Sequence, residues 1–222
     1  AVAAGTILHA WFPDVEIWVF TLVITLLLTI TNLFSVKNYG EFEFWFALVK
    51  VLAIVGFIGL GLAAIFGLLP TSGVSGVSHL VDTVGFMPNG MGAVLAAMLT
   101  TMFSFMGTEI VTIAAAESKD PSKQITKATN SVIWRIGLFY LVSIFIVVAL
   151  VPWNDPSLAS VGSYQTALVS MGIPNAKLIV DIVVLIAVTS CLNSALYTAS
   201  RMLFSLSKRG DAPAAAKRTN AS

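Results

Sequence analysis

Apolar residues occur in five long, nearly uninterrupted runs, and polar residues collect in the segments between them. Each run can cross a bilayer, because about 20 helical residues at about 1.5 Å per residue span a hydrocarbon core about 30 Å thick. The runs lack the period of two that a membrane β-strand shows. The pattern predicts five transmembrane helices, at residues 17–34, 44–69, 92–116, 130–152 and 176–206.

The composition supports this class of protein. Hydrophobic residues make up 57% of the chain and charged residues only 10%, with a mean hydropathy of +0.92. Soluble globular domains carry about 25% charged residues. We therefore expect an all-α integral membrane protein in which residues 1–222 form part of one transmembrane domain.

Lysine and arginine are unevenly distributed among the connecting segments. Residues 1–16, 70–89 and 153–175 contain neither, whereas the alternate segments and adjoining helix ends carry Lys37, Lys119, Lys123, Lys127, Arg135, Lys208, Arg209, Lys217 and Arg218. The positive-inside rule places the amino terminus outside and the carboxyl terminus in the cytoplasm. An outer start at Ala1, without methionine or signal peptide, predicts a fragment that lacks an odd number of upstream spans.

The sequence gives little support for the metal, redox, catalytic or nucleic-acid-binding sites of soluble proteins. Cys191 lies alone in an apolar run, where it is interpreted as a small packing residue. His9 and His79 fall in outer segments, far apart and without cysteine partners, so no metal site is expected. The sequence contains no phosphate loop or nucleophile elbow, and no basic face interleaved with aromatics for nucleic acid. We expect neither an enzyme nor a cofactor.

Polar side chains inside the runs are the candidate functional residues, because each is costly to hold in a bilayer. Lys50 and Glu109 are the charged residues of their runs. The last run carries a polar stripe on one helical face, at steps of three, four, seven and eleven residues: Ser190, Asn193, Ser194, Tyr197 and Arg201. The stripe is also compatible with a packing seam closed by interhelical hydrogen bonds.

The third run contains MFSFMGTEIVTI, residues 102–113, with Gly107 and Glu109 near its middle. Glycine permits non-helical backbone, and a break survives in a bilayer only where it lines a cavity or is buried in protein. The facing ends of two half-helices attract opposite charges, which suits a zwitterion. The spacing also allows an unbroken helix with Gly107 as a packing notch.

Three stretches resemble the amino acid permeases of the amino acid, polyamine and organocation superfamily: SVKNYGEFEFWFALVKVLAI (35–54), FSFMGTEIVTIAAAESKDP (103–121) and SCLNSALYTASRMLFSLSKRGDAP (190–213). The connecting pieces GFMPNG, NSVIWRIGLFY and VPWNDP most resemble the gamma-aminobutyrate permeases of that family. The resemblance implies a twelve-span transporter whose first ten spans form two inverted repeats, as in the sodium-coupled leucine transporter. The five runs would be spans four to eight.

The resemblance also implies a substrate site in the third run. Phe103 corresponds to the aromatic residue that covers bound substrate from the outside. The unwound segment whose backbone meets the substrate corresponds to Ser104, Phe105, Met106 and Gly107.

Proton coupling is expected at Lys50 and Glu109. The resemblance implies that the Lys50 ammonium replaces a sodium ion, with Ser190, Asn193 and Ser194 as its neighbours. A lysine that only extends to the cytoplasmic surface is the alternative. We expect Glu109 to point inward, where hydrogen bonds from neighbouring groups offset its desolvation.

Three other charged residues receive simpler interpretations. Glu41 and Glu43 lie at the start of the second run, where the helix dipole stabilises carboxylates. Arg201 lies low on the last helix, either in an inner-gate ion pair or in solvent.

These observations predict a secondary active transporter in the plasma (inner) membrane. It would import a small amino acid by proton symport with alternating access, and gamma-aminobutyrate is the favoured substrate. The expected partners are the amino acid, the proton and the lipid bilayer, with no nucleic acid. The alternatives are a permease for proline, aromatic or basic amino acids, and a channel or non-transporting membrane subunit.

Overall fold

The computed structural model describes residues 1–32, 36–80, 87, 89–105 and 120–217, without the side chains of residues 36–39, 78, 103 and 217. Every regular element in these ranges is a helix. Three helices there are long and apolar enough to cross a membrane: Gly40–Ile65, Pro121–Leu150 and Ala176–Arg209. The predicted spans 17–34 and 92–116 correspond to shorter apolar helices in the described residues, so the count of five stays a prediction.

The chain divides into two compact units, the first containing Ala1–Leu52 and Asp181–Ser222 and the second Ala53–Val180. The first unit begins with two helices, α1 (Val2–Trp11) and α2 (Ile17–Asn32). The sequence did not predict α1. A side chain on Gly5 would lie 2.9 Å from the Ile17 carbonyl oxygen, so this glycine allows the two helices to approach closely.

Threonines recur every fourth residue along α2, and their hydroxyls stay within the helix. Thr21, Thr25 and Thr29 each donate to the carbonyl four residues earlier, at 2.7–2.9 Å. This bonding satisfies each hydroxyl without a partner from another helix. It explains how an uncharged helix with three regularly spaced threonines suits an apolar surrounding.

Two long helices contribute residues to both units. Helix α3 runs over Val36–Ile65 and therefore starts eight residues before the predicted run. It ends ahead of Gly67, whose φ of +69° terminates the helix, and the Leu68 N–H returns to the Ala63 carbonyl at 2.8 Å. The other, α9, covers Ala176–Arg209.

The second unit also contains α4 (Gly90–Ser104) and a 3₁₀ turn at Ser78–Leu80. Helix α5 (Pro121–Arg135) begins at a cap in which the Asp120 carboxylate accepts from the Lys123 N–H, with proline in the first turn. It continues through a π-helical segment, Ile136–Leu141, into α6 (Val142–Leu150).

The predicted outer segment 153–175 is folded rather than extended. It forms α7 (Ser157–Ser160) and α8 (Ser163–Ser170), and α8 buries Ala167 and Leu168 in the core of the second unit. Tyr164 packs edge-on against Phe57 of α3, with ring centroids 4.9 Å apart. The core of this unit consists of Phe57, Ile58, Ala64, Ile146, Leu150, Val151, Ala167, Leu168, Met171, Ala176 and Val180.

Candidate functional site

Lys50 and Glu43 form an ion pair on α3 in the first unit. Seven residues separate them, which is about two helical turns, so they share one face. Helical side chains lean toward the amino terminus, and the lysine stem therefore reaches back toward Glu43. The Lys50 Nζ lies 3.6 Å from the Glu43 Oε1, with the two side chains 33% and 26% exposed.

Ser190 of α9 joins the two charged groups. Its Oγ accepts a hydrogen bond from the Lys50 Nζ at 2.7 Å and donates one to the Glu43 Oε1 at 2.5 Å. Ser190 is 1% exposed. The second carboxylate oxygen, Oε2 of Glu43, is buried and has no hydrogen-bond partner among the described residues.

A second polar contact connects α9 to α2. Asn193, 4% exposed, accepts a hydrogen bond on Oδ1 from the Asn32 Nδ2 at 2.7 Å. Asn32 also donates to the Leu28 carbonyl at 2.9 Å. A cavity of about 110 Å³ beside this contact is lined by Leu28, Thr31, Phe42, Phe46 and Asn193.

The predicted stripe on α9 therefore faces two helices of the first unit. Ser190 contacts α3 and Asn193 contacts α2, while Ser194 is half-buried one turn beyond Ser190. Farther along α9, the Arg201 guanidinium lies 5.0 Å from the centroid of the Tyr197 ring, a cation–π contact. Hydrogen bonds between helices are also what a packing seam requires, so the geometry suits both interpretations of the stripe.

The structure corrects the sequence interpretation of Glu43, and it adds Glu43 and Asn32 to the candidate site. Placing Glu43 at the start of a helix was wrong, because α3 begins at Val36 and the dipole effect fades within the first turn. The spacing of seven residues between Glu43 and Lys50 was the signal that could have identified the pair. Asn32, at the end of α2, gave no comparable signal.

The predicted substrate segment is described only in part, within the second unit. Helix α4 ends at Ser104, whose carbonyl accepts a hydrogen bond from the Tyr140 hydroxyl at 3.1 Å. The Phe105 and Tyr140 rings meet edge-on at 5.8 Å between centroids. The Phe103 side chain, Met106, Gly107 and Glu109 lie outside the described residues, so the helix break and the Glu109 contacts stay predictions. Tyr140 was missed by the sequence analysis.

Among the described residues, no group of three or more His, Cys, Asp or Glu side chains is placed to hold a metal ion. The cluster of α3 and α9 instead offers an ammonium, a carboxylate and a hydroxyl in one hydrogen-bonded chain. Such a chain can hold or move a proton.

The model of one protein family, described as amino acid permease, matches residues 1–222. The chain belongs to the amino acid permease family. This membership confirms the resemblance stated from the sequence, and the proteins of this family are named as permeases rather than as enzymes. Together with the long apolar helices, it makes the chain a membrane protein.

Three relatives illustrate the similarity. The chain is 71% identical over 221 residues to a protein named "Probable GABA permease" from Pseudomonas aeruginosa, covering 99% of this chain and 46% of the relative. It is 67% identical over 219 residues to the "Gamma-aminobutyric acid permease" of Escherichia coli, covering 99% and 47%. The protein of that name from Bacillus subtilis is 49% identical over 213 residues, covering 96% and 45%.

The chain thus spans about half the length of the curated relatives it matches. A search of the solved structures gives no match.

Proposed function

We propose that this chain supplies spans four to eight of a permease with the inverted-repeat fold of the leucine transporter. The whole protein lies in the plasma (inner) membrane, with Ala1 on the outer side and the carboxyl end of this chain in the cytoplasm. It imports gamma-aminobutyrate together with a proton by alternating access around a site near the bilayer midplane.

The choice of substrate is supported by the relatives. Two proteins that match 99% of this chain at 71% and 67% identity are both named as permeases for gamma-aminobutyrate. Gamma-aminobutyrate is a zwitterion, which suits a site that offers both helix amino termini and backbone carbonyls. The proposed substrate segment comprises Phe103, Ser104, Phe105, Met106 and Gly107.

The proposal of proton coupling rests on one observation, the placement of the Lys50 amine. Lys50 lies within the candidate span Gly40–Ile65, which is long and apolar enough to cross a membrane. Its Nζ donates to a hydroxyl of another helix at 2.7 Å. A lysine whose role was only to reach the surface would end in water rather than on Ser190.

A fixed ammonium at this position can occupy the place of a coupling cation, and losing its proton removes the charge. In this proposal Lys50 and Glu109 are the coupling residues. Ser190, Asn193 and Ser194 form the polar wall of α9 beside Lys50, where the Ser190 contact positions the amine.

Reconstitution of the full-length transporter in proteoliposomes tests the proposal. An imposed inward proton gradient is expected to drive accumulation of labelled gamma-aminobutyrate. Lys50→Met is expected to lose accumulation while exchange of internal for external substrate persists. The matched control is Lys123→Met, an exposed lysine on α5, which should accumulate substrate normally.

The other outcomes are equally informative. A wild-type protein that equilibrates substrate without accumulating it is a channel or facilitator, and one that moves none is a non-transporting subunit. Preferential accumulation of proline, aromatic or basic amino acids would show that the protein is a permease for one of those substrates instead. Gradient-driven accumulation that survives in Lys50→Met would eliminate the coupling role of this lysine.

A further inference from the structure

We propose that Glu43 is the proton-carrying residue of the coupling site, and that Lys50 and Glu43 act as one unit whose net charge changes between zero and plus one. The inference rests on the proposed function, since it adds a residue to the same coupling site. It follows from the geometry of α3 and α9 in the first unit.

The first step concerns charge. A cation-replacing lysine must present a positive charge, yet the Lys50 Nζ lies 3.6 Å from the Glu43 Oε1. At that separation an ionised carboxylate offsets the field of the ammonium for any group a few ångströms farther away. The pair is then nearly neutral to its surroundings. It becomes a net cation only when Glu43 is protonated.

The second step identifies the atom that takes the proton. The Glu43 Oε1 already accepts a hydrogen bond from the Ser190 hydroxyl at 2.5 Å and faces the ammonium. The Glu43 Oε2 is buried and has no hydrogen-bond partner among the described residues. Leaving a buried acceptor unsatisfied is costly. Oε2 is therefore the open position at which an O–H bond can form.

The proton balance is simple. A proton from the outer solution binds to the Glu43 Oε2, which converts a carboxylate into a carboxylic acid and raises the charge of the pair by one. Release of the same proton to the cytoplasm restores the ion pair. Ser190 holds both partners throughout, because its Oγ accepts from the Lys50 Nζ at 2.7 Å while its hydroxyl donates to Glu43.

In the described part of the chain, other ionisable groups near the pair are few. Helix α2 contains none, and Glu41 of α3 is exposed. On α9, Cys191 is exposed and Tyr197 is buried in contact with Arg201. Asp181 and Arg201 are nine and eleven residues from Ser190, or about 14 and 17 Å along the helix. The Lys37 side chain lies outside the described residues. Glu109 also lies outside the described residues, and among the residues that the structure describes the pair is the titratable group that contacts Ser190.

Glu43→Gln in the full-length transporter tests the inference, because it fixes the neutral form of residue 43 and keeps Lys50. For one proton per substrate, a gradient of about one pH unit supports about tenfold accumulation. The expected result is a fall from about tenfold accumulation to about equal concentrations. Substrate exchange should continue and lose its pH dependence.

Glu41→Gln is the matched control, since it removes the same charge from an exposed position two residues away on the same helix. It is expected to retain wild-type accumulation and the wild-type pH profile. Ser190→Ala should change the pH profile of uptake more than Ser190→Thr, which keeps the hydroxyl. A packing role for Ser190 alone would leave that profile in place.

Wild-type accumulation and pH dependence in Glu43→Gln would overturn the proposal and leave the coupling role with Lys50 and Glu109. If Glu43→Gln fails to assemble, Glu43→Asp decides instead. Accumulation with a displaced pH profile supports the proposal, whereas an unchanged profile or no accumulation contradicts it. Failure of the proposed function is a separate result, because the wild-type protein itself would then not accumulate substrate.

Discussion

At the scale of single residues, a comparison of Gly172 with Gly67 distinguishes the cost of a left-handed backbone from the cost of a steric collision. Both have left-handed backbone conformations, with φ of +76° and +69°, which cost a residue with a side chain about 1–2 kcal/mol. A Cβ on Gly172 would also collide with the backbone carbonyl of Thr71, whereas nothing lies within 4 Å of a Cβ on Gly67. The two glycines therefore share the conformational cost but not the collision.

Gly172→Ala is expected to destabilise the protein more than Gly67→Ala, by about 1–3 kcal/mol beyond the shared cost, because backbone atoms must shift to admit the methyl group. Apparent Tm values of the purified full-length variants, measured at a single heating rate, check this. Equal losses in the two variants would show that the Thr71 contact adds nothing.

Asp155 provides a prediction for the outer segment. The Ser157 hydroxyl donates to its Oδ1 at 2.6 Å and the Ser157 N–H donates at 2.8 Å, and these bonds hold the pKa of Asp155 below its ordinary value of 3.8. A lowered folded-state pKa gives a stabilisation that is present above about pH 3.8 and is lost as the pH falls through the folded value.

Ser157→Ala removes the hydroxyl, which is the larger cause of the shift, and keeps the backbone donor. The pKa of Asp155 is therefore expected to rise toward 3.8, and this segment should begin to lose protection at a higher pH. Carboxyl carbon NMR against pH measures the first effect, and amide hydrogen exchange near Ser157 measures the second. A pKa that is the same in both proteins would contradict the hydrogen-bond explanation.

At the scale of elements, hydropathy located the long helices but not their ends. The predicted run at 130–152 belongs to a helix that starts at Pro121, because an Asp120 cap and a polar first turn extend it beyond the apolar stretch. Helix α3 likewise extends before its apolar run, to Val36. Hydrophobicity reports where a helix can contact lipid, whereas capping and turn residues determine where it ends.

The candidate site was predictable to a similar degree. Helical spacing put Ser190 and Asn193 on one face of α9, but periodicity cannot specify which helix a face will meet. The contact between Lys50 and Ser190 was implied only by the family resemblance. Glu43 was missed because the start of α3 was placed too late, and α8 because its buried Ala167 and Leu168 lie among the polar residues of a presumed loop.

The π-helical segment places Tyr140 at the end of α4. Tyr140→Phe removes its hydrogen bond to the Ser104 carbonyl while keeping the ring contact with Phe105. A lost hydrogen bond of about 0.5–1.5 kcal/mol predicts a loss of substrate affinity of about two- to tenfold, if this end of α4 meets the substrate.

Substrate binding to the full-length Tyr140→Phe variant checks this. Tyr164→Phe is the control, because its hydroxyl contacts Ser143 at 3.1 Å and should affect stability rather than affinity. Unchanged affinity in Tyr140→Phe would separate Tyr140 from the substrate site.

At the scale of the whole molecule, the distribution of charge along the chain, rather than the net charge, indicates the orientation in the membrane. The formal net charge is only +1. Nine lysines and arginines nevertheless lie in or beside segments on the proposed cytoplasmic side, whereas residues 1–16, 70–89 and 153–175 contain none. Lys177, near the start of α9, is the basic residue on the opposite side. The imbalance strongly favours one orientation under the positive-inside rule.

Single cysteines test this orientation directly, in a full-length Cys191→Ser background because the native thiol is exposed. Ser75, Ser160 and Ser122 are all exposed, so differences in labelling will report the side of the membrane rather than burial. In intact cells, Ser75→Cys and Ser160→Cys are expected to react with an impermeant maleimide, and Ser122→Cys only after permeabilisation. The segments of Ser75 and Ser160 lack basic residues, whereas Ser122 adjoins Lys123. Labelling of Ser122→Cys in intact cells, with Ser75→Cys and Ser160→Cys protected until permeabilisation, would reverse the orientation and move the carboxyl end of this chain to the outside.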